Sequence, residues 1–188
     1  MAASEVAICN SALIKLGVET ISSLSDNTRQ ALLCNEQYAK IRDKLLYSHP
    51  WNFAVKRATL VATVTEPEYE FDFQYTLPAD CLRVWDSQFG PDKDFYQVEG
   101  AFLYSNYTDV SIKYIAKITD TTKFSPVFDE CLALMLAIDL EYALVQSNSF
   151  KNTLLQELQR ELRDSRSFDA QENPSYPYQD DVFLNARR

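Results

Sequence analysis

Five carboxylates lie close together in the sequence and could in principle do acid–base chemistry: Asp80, Asp86, Asp92, Asp94 and Glu99. Two carboxyl groups about 5 to 9.5 Å apart are sufficient to hydrolyse a glycosidic bond. The chain contains 27 acidic residues, so carboxylates in loops are also the ordinary expectation. Hydrolysis is therefore kept as an alternative hypothesis, and we predict that the protein is not an enzyme.

Other signatures of catalysis are weak. His49 is the only histidine, and it precedes Pro50 at the end of a predicted helix, with no recognisable nucleophile beside it. We expect it to be a turn residue or a partly buried neighbour of Trp51. The three glycines form neither a phosphate-binding loop nor a dinucleotide fingerprint. We predict no catalytic or cofactor-binding residue and no cofactor.

The four cysteines, Cys9, Cys34, Cys81 and Cys131, are far apart and form no Cys-x-x-Cys pair. This spacing fits neither a zinc site nor a dense disulfide framework. Each lies among apolar residues, so we predict buried free thiols and no metal site.

The composition is that of a globular protein with one core: 188 residues, 46% hydrophobic, and a net charge of -9. The negative charge argues against a general nucleic-acid-binding surface, because such affinity comes largely from lysine and arginine. Residues 1–5 lack the features of a signal peptide, and no run reaches the roughly 18 apolar residues of a membrane span. We expect synthesis in the cytosol and no membrane partner.

The stretch around Pro50 is where the predicted secondary structure changes. Pro50 disfavours helical geometry at His49 and has no N–H group to continue a helix. Trp51 and Phe53 alternate with polar or small neighbours, which predicts an extended segment. Pro50, Trp51 and Phe53 are therefore predicted to form the structural junction between helices and sheet.

Apolar residues at helical spacing predict two helices before this junction. The first spans residues 4–16, with Ser4 as its N-cap, and the second is capped by Ser25 or Asp26 and ends at residue 47 or 48. Arg42 falls off the apolar stripe of the second helix. It is expected to face solvent or a neighbouring subunit.

Two more helices are predicted near the C-terminus. The third begins at Ser125 and Pro126 and is apolar nearly all round, which predicts a central buried helix. The fourth follows Ser149 and ends near Ala170. Between the two helical regions, the alternating residues 69–77 and several shorter runs predict a mainly antiparallel sheet or a small barrel.

The predicted fold class is thus α+β. Residues 1–50 and 125–172 are assigned to a helical bundle, residues 51–124 to an inserted β domain, and residues 173–188 to an extended C-terminal tail. The tail has no amphipathic period but keeps large apolar side chains, so we expect it to order on binding a partner. Its candidate binding residues are Tyr176, Tyr178, Val182, Phe183, Leu184, Arg187 and Arg188.

Several segments together resemble the tail tubular protein A family of short-tailed bacteriophages, the head-to-tail adaptors also called gatekeepers or connectors. The most specific are Pro50-Trp51-Asn52-Phe53-Ala54 and Leu77-Pro78-Ala79-Asp80-Cys81-Leu82-Arg83. Weaker matches lie at residues 12–17, 21–24, 38–46, 113–115 and 128–132. In order, the resemblance covers roughly residues 8 to 165.

The resemblance implies an α+β structural protein of the virion. It would form a ring, similar to the portal in having twelve subunits, between the portal protein and the tail nozzle or tail tube. The ring would extend the channel through which double-stranded DNA passes without specific binding. The position of residues 173–188 implies contact with the portal. Another connector class, such as a stopper or a tail-completion protein, is the alternative.

Overall fold

The computed structural model describes residues 4–65, 67–88, 96–146 and 151–172. Within these ranges the chain has four α-helices and six β-strands, and the predicted α+β fold class is confirmed. Buried side chains of helices and strands join in one cluster. The proposed domain boundaries stay a prediction. The elements are α1 (Glu5–Lys15), α2 (Arg29–Ser48), β1 (Val55–Leu60), β2 (Phe73–Thr76), β3 (Cys81–Ser87), β4 (Tyr96–Glu99), β5 (Phe102–Ser105), β6 (Val110–Ala116), α3 (Pro126–Val145) and α4 (Lys151–Glu172).

The predicted caps of α1 and α3 are confirmed. The Ser4 hydroxyl accepts a hydrogen bond from the N–H group of Ala7, and the Ser125 hydroxyl accepts one from Phe128. Gly17 follows α1 with a φ of +68°, a left-handed conformation that glycine adopts without steric cost. Helix α3 packs against α1, α2 and α4, so it is the central helix, as predicted.

The start of α2 differs from the prediction. Neither Ser25 nor Asp26 caps this helix; Thr28 does, by accepting a hydrogen bond from a backbone N–H group in the first turn. The Asp26 carboxylate instead accepts hydrogen bonds from the backbone N–H groups of Ser22 and Ser23. It therefore closes the preceding turn, a common use of aspartate that competes with helix capping.

Arg42 is buried, with 4% of its surface exposed, so the expectation that it faces solvent is wrong. Its Nε and Nη2 atoms donate to the carboxylate of Asp43 at 2.9 and 2.8 Å. Asp43 also lies 2.9 Å from Nζ of Lys117, just after β6. Both donors share the Oδ1 atom of Asp43, which gives the buried guanidinium a charged partner, and the contact of Asp43 with Lys117 links α2 to the sheet.

The six described strands form two antiparallel sheets of three strands each, in the orders β1-β6-β3 and β2-β5-β4. In the first, β6 is central, with Val55 opposite Ile115 and Leu60 opposite Val110. In the second, β5 is central. An isolated bridge between Ala62 and Tyr75 connects the two sheets.

The long strand predicted for residues 69–77 is mostly wrong, since only Phe73–Thr76 is a strand. Glu70 has a φ of +73°, which interrupts an extended chain, and Tyr69 is 80% exposed. Phe71 stacks on Tyr104 of β5 at 6.2 Å between ring centroids. The alternation of aromatic residues therefore includes side chains that pack outside any strand.

The junction residues also adopt a different local structure from the predicted strand. Residues Asn52–Ala54 form one turn of 3-10 helix, closed by a 2.8 Å hydrogen bond from the Ala54 N–H group to the carbonyl of Trp51. The turn still directs aromatic side chains into the core. Trp51 is almost fully buried and Phe53 is half-buried.

Trp51 belongs to an aromatic cluster at the base of α3. Its ring contacts Phe128 edge-to-face at 5.1 Å, and Phe128 also contacts Phe53 and Phe124 at 5.1 and 4.7 Å. The indole Nε1 donates to the carbonyl of Leu45 in α2 at 3.0 Å. One side chain thus connects α2, the turn and α3, and its polar atom is satisfied.

We expect Trp51→Ala to lower the free energy of unfolding by about 3–5 kcal/mol, because it leaves a large cavity and breaks the aromatic contacts. The matched control is Trp85→Ala, since Trp85 is 47% exposed on β3; we expect a loss of about 1 kcal/mol or less. Urea denaturation followed by circular dichroism measures both. Equal losses for the two variants would contradict this description of the core.

Candidate functional site

The C-terminal end of α4 is anchored at the junction. The side-chain amide Nδ2 of Asn52 donates to the carbonyl of Asp169 at 3.0 Å and to the carboxylate of Glu172 at 2.9 Å. His49 Nε2 lies 3.1 Å from Oδ2 of Asp169. These contacts hold the last described turn of α4, which extends to Glu172, against the junction.

His49 is a partly buried neighbour of Trp51, as predicted, with 5.1 Å between the ring centroids. Burial lowers the pKa of His49 below its ordinary value against the pull of Asp169, and the charges of Arg166 and Arg83 add to the lowering. Burial also raises the pKa of Asp169. A neutral imidazole that donates from Nε2 to the carboxylate suits this contact, so His49 acts as an anchor for α4.

A groove of about 640 Å³ lies between β3 and β4, close to this anchor. Arg83 and Tyr47 form its most distinctive wall, with the guanidinium carbon 5.2 Å from the centre of the Tyr47 ring. The Nε atom of Arg83 is buried and has no hydrogen-bond partner among the described residues. Tyr96 and Val98 of β4 also line the groove. The groove thus combines apolar surface with one positioned cation.

The candidate carboxylates of the sheet region are engaged in local contacts. Asp80 lies 2.6 Å from Nζ of Lys56, and Asp86 lies 3.0 Å from Nζ of Lys113. The hydrogen bond from Lys56 lowers the pKa of Asp80, which favours the ionised form and does not suit a proton donor. The Glu99 carboxylate accepts a hydrogen bond from Gln97. Asp92 and Asp94 lie outside the described residues.

All four cysteines are free thiols, as predicted. Cys9, Cys34 and Cys131 are buried, whereas Cys81 is only half-buried at the groove, so its predicted full burial is wrong. Burial raises the pKa of Cys131 and of Cys81, which keeps both protonated and unreactive.

Within the described ranges, no group of three or more His, Cys, Asp or Glu side chains is placed to hold a metal ion. None of the helices in those ranges has the length and apolar character needed to span a bilayer.

Of the predicted site residues, Pro50, Trp51 and Phe53 lie together at the junction, half-buried or buried. Seven predicted binding residues lie outside the described residues: Tyr176, Tyr178, Val182, Phe183, Leu184, Arg187 and Arg188. Sequence reasoning missed the groove and the roles of Asn52 and Arg83. One sequence feature does point to the groove, because Arg83 is a cation within the otherwise apolar start of β3. It could identify the groove only once the pairing of the strands is known.

No protein-family model matches the sequence, and none of the curated proteins searched gives a significant match.

Among the described carboxylates, Asp129 has the pKa that departs most clearly from its ordinary value. It lies in the first turn of α3, burial raises its pKa to about 6, and its Oδ1 atom has no hydrogen-bond partner among the described residues. Its folded pKa is above its unfolded pKa, so the folded state binds more protons between about pH 4 and pH 6. The contribution of Asp129 to stability is therefore lost as the pH rises through this window.

We expect Asp129→Asn to stabilise the protein by about 1–3 kcal/mol above pH about 6 and to have little effect below pH about 4, because asparagine cannot ionise. Asp139→Asn is the matched control, since Asp139 is exposed on the same helix. Thermal unfolding of both variants across this pH range measures the difference from wild type. A gain for Asp129→Asn that does not change with pH would contradict a buried, titrating carboxylate.

Proposed function

We propose that this protein is a structural component of a phage virion, a head-to-tail adaptor that forms a ring between the portal protein and the tail nozzle. The ring has about twelve subunits, as the family resemblance implies, and extends the DNA channel. The resemblance of residues 49–54 and 75–84 suggests this function, and the α+β fold is the one expected for such a subunit.

The observation that carries the proposal is the large amount of apolar surface exposed on the single chain. The connection between β1 and β2 exposes Val61, Val64 and Tyr69 almost completely. Helices α1 and α3 also expose Ile14 and Tyr142. The three exposed apolar side chains on the one connection between β1 and β2 are the group that a subunit contact would cover. A ring subunit needs two such surfaces, one for each neighbour.

The charge and the C-terminal segment suit the same function. A net charge of -9 repels DNA, and this repulsion extends over about 8 to 10 Å at moderate ionic strength, so DNA would slide through the channel without being held. We propose that residues 173–188 bind the portal. The last described turn of α4, which precedes them in the chain, is held at the junction by the contacts of Asn52.

We expect Val64→Lys to reduce ring assembly on the portal at least about tenfold, because an unpaired lysine is costly to bury between subunits. Thr65→Lys is the matched control, since Thr65 is the next residue and is also exposed, and it introduces the same charge. Rings on purified portal assemblies are counted by negative-stain electron microscopy. Assembly of Val64→Lys at the wild-type level would exclude the connection between β1 and β2 from the subunit contact.

A further inference from the structure

The groove between β3 and β4 lies at the free edges of both sheets. Among the described strands, β3 is the outer strand of one sheet and β4 is the outer strand of the other. Residues of both strands line the groove of about 640 Å³. An edge strand presents unpaired N–H and C=O groups, and an extended peptide can pair with them. The groove therefore has the form of a site for an extended segment.

The two edges are not equivalent. The register between β3 and β6 shifts between Cys81 and Arg83 and again between Val84 and Asp86, so the backbone of β3 is irregular. Strand β4 pairs regularly with β5 over all four of its residues. An incoming strand would therefore form its backbone hydrogen bonds with β4 and its side-chain contacts with β3.

Arg83 defines the charge that this segment needs. Its buried Nε atom lacks a hydrogen-bond partner among the described residues, and its guanidinium is held over the ring of Tyr47. A buried donor without a partner is unfavourable, and a carboxylate is the acceptor that a guanidinium binds most strongly. The segment should thus carry an acidic residue next to apolar residues with strand propensity.

The C-terminal segment of this chain has that sequence and follows a helix whose last described turn contacts the junction. Asp180 and Asp181 are followed by the apolar residues 182–184, valine, phenylalanine and leucine. The last described turn of α4 contacts His49 and Asn52, and the charge of Arg83 acts on His49. Residues 173–179 can span up to about 23 Å when extended, at about 3.3 Å per residue.

We propose that residues 180–185 of the chain's own C-terminal segment bind in this groove as a strand beside β4, with an aspartate of the Asp180–Asp181 pair bound to Arg83. The proposal concerns the isolated chain and does not rest on the adaptor function. If both hold, the portal and the groove compete for the same residues. The subunit would then release this segment when it meets the portal.

Hydrogen exchange measured by mass spectrometry on the full chain tests this binding without any portal. We expect the backbone amides of β4 to exchange at least about tenfold more slowly in the full chain than in a chain ending at Glu172. Replacing both Asp180 and Asp181 by asparagine should remove this protection. That variant leaves every described residue unchanged, so its effect cannot come from a misfolded groove.

Arg83→Gln in the full chain should also remove the protection, while Arg57→Gln should retain it, since Arg57 is exposed on β1 and does not line the groove. The protection should be independent of protein concentration, because a short linker gives an effective concentration of about the millimolar range. Equal exchange of β4 in the full and shortened chains would overturn the proposal. Protection that increases with protein concentration would assign the groove to a neighbouring copy and would also overturn it.

Discussion

The burial of Trp51 is the constraint on which the rest of the structure depends. Pro50 ends α2, and the following turn places the Trp51 ring against Phe128 of α3 while its indole nitrogen binds the carbonyl of Leu45. The same turn leads directly into β1. Helices and sheets therefore share one core, because this side chain fixes where the first helical pair ends and the first sheet begins.

The same turn also holds the last described turn of α4. Asn52 and His49 contact Asp169 and Glu172, so α4 is held there as well as along α3. Leu154 is buried along the same helix, but most of its other side chains are exposed. Polar contacts at the junction therefore add to the packing against α3 in positioning α4.

Features set by local chemistry could be predicted from the sequence, whereas those set by distant contacts could not. The Ser4 and Ser125 caps and the apolar surface of α3 are properties of a few neighbouring residues, and all three predictions are confirmed. The aromatic turn after Pro50 was predicted as a strand, because alternation alone cannot distinguish a strand from a single 3-10 turn. The groove depends on which strands lie at the sheet edges, and strand order is not encoded in any one segment.

The mass of the purified protein tests most directly the proposal that the single chain is one part of a larger ring. Light scattering combined with negative-stain imaging would be applied to the protein alone and after mixing with portal assemblies. We expect a ring in one of these two conditions, with a mass of about twelve times the 21.6 kDa of the chain. A protein that stays monomeric and does not bind the portal would contradict it.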